Sequence, residues 1–176
     1  MKDLGDLKYF LGIEFTRSLE GILMHQRKYT LELIVEVGMS TTKPVGTLIN
    51  TNIKLTSKKY DEKVNRNKKV SDDPLVDQII YQRLIEKLLY LQMTRLDISF
   101  STQTLSQFLQ QPKISHMNAV LRVVRYLKRQ PGQGLLRSNG SNNVVTAFCD
   151  VDWASCLLTR RSVTGYMIKL GGSIVS

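Results

Sequence analysis

Two carboxylates, Asp150 and Asp152, end a stretch whose side chains alternate as in a β-strand, Val144 to Cys149. Residues two apart on an extended strand point to the same side, so the pair converges if the strand continues through Asp152. Converging carboxylates bind divalent cations, and two-metal phosphodiester hydrolysis needs several of them. Asp150 is the candidate metal ligand of this pair. With only two carboxylates at hand, we expect an incomplete metal centre.

The composition favours a polyanionic partner. The chain has 176 residues, with 25 Lys and Arg against 15 Asp and Glu, and a net charge of +10. Such a balance favours nucleic acid first and an anionic membrane surface second. No apolar run approaches the roughly 18 residues of a membrane span, and the N-terminus lacks a signal-peptide pattern. We therefore expect an intracellular protein without a targeting signal, in which Cys149 and Cys156 are reduced thiols.

The N-terminal part predicts a β-hairpin followed by a helix. Strand-forming residues cluster from Tyr9 to Phe15, turn residues occupy Ser18 to Gly21, and Ile22 to His25 returns. Gly12 within the first strand indicates a bulge or a close backbone approach. From Lys28 to Gly38 the apolar spacing changes to that of a short amphipathic helix.

The middle of the chain predicts a basic linker and then helices. Residues 44 to 72 show little periodicity and read as a solvated loop or, alternatively, as an arm that follows a nucleic-acid backbone. Asp73 and Pro74 suit the start of a helix. Its expected apolar stripe is Ile80, Leu84, Leu88 and Leu91.

A third predicted helix starts at Ser115 and carries an apolar face and a basic face. Arginines recur along its basic face with helical spacing, and they are either phosphate-contacting or merely solvated. These arginines are Arg122, Arg125 and Arg129. Beyond it, the turn-rich run from Ser138 to Asn143 is the best domain boundary, and strands follow at Val144 to Cys149 and Val163 to Leu170. The predicted fold class is α+β.

Six stretches resemble, in order and over essentially the whole chain, the later part of a copia-type retrotransposon polyprotein. They read MKDLGDLKYFLGIEF, GILMHQRKYTLELI, IIYQRLIEKLLYL, TRLDISFSTQTLSQFLQQP, RVVRYLKRQPGQGLL and CDVDWASCLLTRRSVTGY. The resemblance implies that residues 1–43 are the palm end with the primer-grip hairpin and a helix, and that 44–72 are a linker. It implies a helical thumb and connection at 73–137, and the start of a truncated ribonuclease H-like sheet at 143–176.

The resemblance also implies roles for individual residues. The primer-grip residues would be Phe10, Leu11, Gly12 and Ile13, with Gly12 allowing a sugar-phosphate to approach. Asp150 matches the first ribonuclease H carboxylate, Asp152 is a less certain second one, and the implied cofactor is Mg²⁺. The implied partner is an RNA–DNA hybrid or a DNA duplex, recognised through backbone and shape. We expect neither a membrane nor a small-molecule substrate.

Other family features are absent, and several usual residues are replaced. The paired polymerase aspartates and the later ribonuclease H acids have no counterpart here. Leu48 and Leu96 stand where the family usually has proline, and Glu86 and Arg129 where it has glycine, which is typical of a decayed copy. We therefore expect a polymerase and ribonuclease H fragment without catalytic activity of its own.

Two alternatives to an inactive fragment stay open. In the first, the chain is a residual, sequence-independent module that binds nucleic acid, RNA–DNA hybrids in particular. In the second, it never folds stably. Exposed strand edges at Tyr9 to Phe15 and at Val163 to Ile174 would then cause aggregation.

Overall fold

A computed structural model describes residues 5–50, 52–64, 73–140, 144–153 and 162–175. It confirms the α+β class, with two antiparallel sheets and a helical body between them in the chain order. The strands are β1 Tyr9–Phe10, β2 Ile13–Ser18, β3 Gly21–His25, β4 Gly134–Ser138, β5 Val145–Asp152, β6 Val163–Leu170 and β7 Ser173–Ile174. The helices are α1 Arg27–Glu36, α2 Lys58–Val64, α3 Gln78–Leu91, a 3₁₀ turn Leu96–Ile98, α4 Ser99–Ser106 and α5 Ile114–Leu127.

The first sheet has the order β1-β2-β3-β4. The predicted turn before Gly21 is confirmed, since Ser18 pairs with Gly21. The single strand predicted over Tyr9–Phe15 is wrong, because the chain reverses at Leu11 and Gly12, whose φ angles are 46° and 77°. A two-residue loop with both φ angles positive matches the twist of a hairpin, so Gly12 marks a turn and no bulge.

The helices bury one continuous apolar core between α1, α3, α4 and α5. The stripe predicted for α3 is confirmed at Leu84, Leu88 and Leu91, but Ile80 is 54% exposed and the fully buried Tyr81 takes its place. The side chains of this core are Leu33, Ile34, Tyr81, Leu84, Ile85, Leu88, Leu91, Ile98, Leu105, Phe108, Val120, Val123, Val124 and Leu127. Burial of this apolar area is the main stabilising term of the fold.

The predicted start of α3 at Asp73 is wrong. Asp77 is its N-cap, and its carboxylate accepts the N–H groups of Ile79 and Ile80 at 2.8 and 3.1 Å. Asp73 instead accepts the N–H of Ser115 at 3.0 Å and so satisfies a free donor in the first turn of α5. Asp73 is a good capping residue, but the helix it serves is distant in sequence.

The stretch predicted to be a linker contains α2, and residues 65–72 lie outside the described residues. The Nζ of Lys113, whose residue is only 5% exposed, lies 2.8 Å from a carboxylate oxygen of Asp61 and 3.2 Å from one of Asp73. Burial alone would raise the pKa of both carboxyl groups, but hydrogen bonds that include Lys113 hold them below the ordinary value. A buried ammonium needs such partners, and this need fixes α2 against α5.

His116 lies beside this cluster and is fully buried. Its Nδ1 accepts the N–H of Lys113 at 3.1 Å, its Nε2 lies 3.1 Å from the carbonyl oxygen of Thr56, and its ring stacks on Phe108. Burial, followed by the charge of Lys113, lowers the pKa of His116 to about 4. The ring is therefore neutral at pH 7, with its proton on Nε2.

The second sheet has the order β5-β6-β7 and joins the first through the N–H of Ser138, which donates to the buried Ser173 hydroxyl at 2.9 Å. The boundary predicted over Ser138–Asn143 includes residues 141–143, which lie outside the described residues, as does Cys156. The exposed edges predicted at Tyr9–Phe15 and Val163–Ile174 are confirmed in part, because β1 and β7 are outer strands while β2 and β6 are inner ones. The strand β7 pairs with only Lys169 and Leu170 of β6, and β5 forms the other, longer outer edge of the second sheet.

His116 makes the stability depend on pH in a defined window. Its folded pKa is about 4 and its ordinary value is 6.5, so between these values the unfolded chain binds more protons. This contribution is complete above pH 6.5 and is lost as the pH falls towards 4. We expect wild type to lose about 2 to 3 kcal/mol more than His116→Gln between pH 7 and pH 4.5.

Urea unfolding at the two pH values measures this difference. The carboxyls of Asp61 and Asp73 have lowered pKa values, so they lose their contribution at still lower pH. Equal losses in the two proteins would show that His116 is not held neutral in the fold.

Candidate nucleic-acid interface

The hairpin tip predicted to grip a primer is a protruding apolar turn. Phe10 is 55% exposed and Leu11 is 69% exposed, while Gly12 and Ile13 are half-buried. The hydroxyl of Tyr90 on α3 donates a hydrogen bond to the carbonyl oxygen of Leu11. A Cβ built on Gly12 would collide with the same hydroxyl. The close approach expected at Gly12 is thus made by Tyr90 of the same chain, and contact of these residues with a primer stays a prediction.

The basic face of α5 holds the segment that follows α1. Arg122 donates to the carbonyl and hydroxyl oxygens of Thr47 at 3.1 and 2.6 Å, and the Nε of Arg125 donates to the carbonyl oxygen of Lys43 at 2.9 Å. Lys128 donates to three carbonyl oxygens, those of Met39, Ser40 and Thr42. Sequence reasoning found the arginines and missed Lys128. The segment after α1 has no secondary-structure pattern of its own, so its carbonyl oxygens need hydrogen-bond donors from elsewhere. That need was the signal in the sequence.

No carboxylate of the described residues neutralises the positive charge of these side chains. In the described parts of the chain, Arg122, Arg125, Lys128 and Arg129 form no ion pair with a carboxylate. A carbonyl oxygen orients a guanidinium group through its dipole without cancelling the positive charge. The face of α5 is therefore structural and cationic at once, and the two interpretations of the arginine row are compatible.

Arg129 was predicted on the helix face but lies beyond the end of α5 at Leu127. It is the exposed member of the row and lies at a polar hollow of about 250 Å³ beside Gly46. Behind it, the 2%-exposed Arg95 forms a bidentate pair with Asp97 at 2.9 and 2.8 Å and donates to the carbonyl oxygen of Gln130 at 3.0 Å. The hydroxyl of Tyr126 donates to Asp97 at 3.0 Å. Burial would raise the pKa of Asp97, but its hydrogen bonds and the charge of Arg95 lower it. This network was missed from the sequence, although its residues Arg95 and Asp97 lie two apart in the motif TRLDISF.

The carboxylate pair lies on β5, which remains extended through Asp152. Asp150 pairs with Gly165 and Asp152 with Val163, so both carboxylates point to one side of the second sheet. Asp150 is therefore within the strand, and its expected position at a strand end is revised. Among the described residues, no atom beyond Gly165 and its two chain neighbours lies within 4 Å of where a Cβ of Gly165 would be, so these residues leave space beside Asp150.

Metal-ligating side chains do not gather around this pair. Within the described ranges, no three or more His, Cys, Asp or Glu side chains are arranged to hold a metal ion. Two carboxylates alone fall short of a two-metal centre. The Mg²⁺ role of Asp150 stays a prediction. Among the described helices, none is both long and apolar enough to cross a membrane.

The α+β fold thus presents three candidate surfaces: the exposed hairpin tip, the cationic face of α5 and the carboxylate pair on β5. Comparison with known proteins identifies its family. The Retrovirus-related Pol polyprotein from transposon RE2 of Arabidopsis thaliana is 36% identical over 176 residues, all of this chain and 11% of that polyprotein. The corresponding polyprotein from transposon TNT 1-94 of Nicotiana tabacum is 29% identical over 179 residues, 13% of its length.

An uncharacterized mitochondrial protein of Arabidopsis thaliana is 34% identical over 176 residues, the whole of this chain and 68% of that protein. The chain belongs to the copia-type retrotransposon Pol polyprotein family and spans about a tenth of the Arabidopsis RE2 polyprotein, 11% of its length. No family model matches the chain, and no solved structure matches it.

Gly12→Ala tests the contact between the hairpin tip and α3. Gly12 and Gly38 both have positive φ angles, 77° and 68°, but of the two only Gly12 would bring a Cβ within 4 Å of another atom of the described residues. Adding a Cβ at a left-handed position costs about 1 to 2 kcal/mol, and at Gly12 it also displaces Tyr90. We expect Gly12→Ala to lower the free energy of unfolding by more than Gly38→Ala does, as measured by chemical denaturation. Equal losses would mean that Tyr90 does not hold the tip.

Proposed function

We propose that this chain is the stretch of a copia-type Pol polyprotein that connects reverse transcriptase to ribonuclease H. We further propose that by itself it catalyses neither nucleotide incorporation nor hybrid cleavage. One observation carries this proposal. Asp150 and Asp152 lie on the same side of β5, and among the described residues no group of three or more His, Cys, Asp or Glu side chains is arranged to hold a metal ion. A pair of carboxylates does not hold two metal ions at a phosphodiester, so the chemistry stops at an incomplete ligand set.

The remaining surfaces fit a supporting role in the same assembly. The tip around Phe10 and Leu11 would touch a primer strand, and the helices would provide the body that grips a duplex. Tyr90 couples these two parts, because it joins α3 to the turn. The chain would thus position nucleic acid for active sites whose acidic residues it does not contain.

A hydrolysis assay tests the absence of catalysis. Purified chain is incubated with an end-labelled RNA–DNA hybrid and Mg²⁺, beside Asp150→Asn prepared in the same way. We expect both proteins to leave the hybrid intact over the whole time course. Cleavage by wild type that disappears in Asp150→Asn would overturn the proposal, whereas equal cleavage by both would reveal a contaminating nuclease.

A second function is favoured by the uncompensated cations of α5, namely binding of RNA–DNA hybrid without sequence preference. Their partners are carbonyl oxygens, so counterion release at phosphates remains open to them. The side chain of Arg129 has no hydrogen-bond partner in the described part of the chain and is exposed, which makes it the clearest candidate for a phosphate contact. Binding of this kind depends on charge and on duplex shape.

Salt dependence measures this second function. We expect a labelled hybrid to bind at about 50 mM salt, to weaken steeply by about 200 mM, and to bind alike when its sequence is scrambled. Arg129→Gln should lower the slope of log affinity against log salt by about 1, because one phosphate contact is lost. If no hybrid is retained at about 50 mM salt, this function is excluded while the absence of catalysis is unaffected.

A further inference from the structure

A cavity of about 410 Å³ lies between α5 and the segment that α5 holds. The aliphatic part of its lining includes Met39, Ile49, Ile53 and Ala119. This volume is within the range of sites that bind a small organic group, which are mostly apolar with a few polar groups at fixed places. The cavity therefore has room for a group of the size of one nucleobase.

Two of the side chains that line the cavity are positively charged, and hydrogen bonds hold them in place. Arg122 and Arg125 both line it, and each is oriented by its hydrogen bond to a carbonyl oxygen of the held segment. Arg125 uses only its Nε for this bond, so both terminal nitrogens have no partner in the described part of the chain. Such a guanidinium fork can bind two oxygens of one phosphate. Asn118, also on the rim, presents an amide with both donors and an acceptor.

We propose that this cavity binds one unpaired nucleotide of a nucleic-acid strand, with the base in the aliphatic hollow and the adjoining phosphate on Arg125 and Arg122. The proposal rests on the hybrid binding proposed above and adds a site for a specific feature of the substrate. A paired base cannot enter, because it is stacked within its duplex. A base that is already unpaired enters without that cost and inserts among apolar side chains.

Three hybrids of one sequence test the proposal. The first has blunt ends, the second carries two unpaired nucleotides at every strand end, and the third carries the same overhangs without bases. At about 50 mM salt we expect the second to bind wild-type chain at least about fivefold more tightly than the third, since burying even part of a base surface against apolar side chains is worth that much. The second and third hybrids have equal numbers of phosphates, so the difference isolates the bases.

Variants locate the effect. Ala119→Leu fills the hollow and should abolish the advantage of base-bearing overhangs while leaving binding of the blunt hybrid unchanged. Arg125→Gln should weaken binding of both overhang-bearing hybrids more than binding of the blunt hybrid, because it removes the contact to the phosphate of the overhang. Arg83→Gln is the matched control for Arg125→Gln. It removes the same charge, but Arg83 is exposed on α3 and does not line this cavity. It should weaken binding of all three hybrids by one common factor.

The outcomes separate this inference from the proposed binding. If wild type binds base-bearing and baseless overhangs equally, the cavity takes no base, yet hybrid binding stands. If Ala119→Leu keeps the advantage, bases bind elsewhere and the assignment of the cavity is wrong. If decanoate competes away the overhang advantage and adenosine monophosphate does not, the occupant is an apolar acid, which overturns the proposal. Failure to bind any hybrid overturns the hybrid binding itself.

Discussion

The position of α5 is the constraint on which the remaining structure depends. One face of this helix is fully buried at Val120, Val124 and Leu127. The buried Lys113 and His116 fix its N-terminal end. Burying an ammonium group away from water costs free energy unless it is paired with carboxylates. Lys113 therefore pairs with Asp61 and Asp73, which lie in segments without a strong secondary-structure pattern. The opposite face of α5 then holds the segment after α1 through cations. A single helix thus organises the core, α2 and the cationic surface.

The cations of α5 can hold the segment after α1 and still attract phosphate. Carbonyl oxygens fix the direction of Arg122, Arg125 and Lys128, whereas carboxylates would have fixed it and cancelled the charge. Fixing a long side chain in advance reduces the entropy that a later contact costs. The second sheet is different in kind. It is attached to the first through Ser138 and Ser173, and among the described residues its carboxylates gain no third side chain to hold a metal ion.

Periodic segments were predictable because their side chains report directly on one buried face. Apolar spacing predicted α1, the body of α3, α5 and the return strand after Gly21, but it missed α2, and the order of six motifs indicated the family. Long-range partners were not predictable. Asp73 has the chemistry of a helix cap in either setting, and only the folded chain brings it to Ser115. Likewise, Gly12 signals a special backbone, but the sequence cannot show that Tyr90 approaches it. The cavity beside Ala119 depends on how a patternless segment lies on α5, so spacing gave no sign of it.

The central claim is that the cationic side of α5 and the hairpin tip form the surface that meets nucleic acid. Hydrogen–deuterium exchange of the chain, with and without a saturating RNA–DNA hybrid, tests it most directly. The account predicts slower exchange on binding in the segment from Met39 to Thr47 and in the tip from Tyr9 to Ile13. It predicts unchanged exchange in the buried helix α3. Protection confined to other segments, with these two unaltered, would contradict the account.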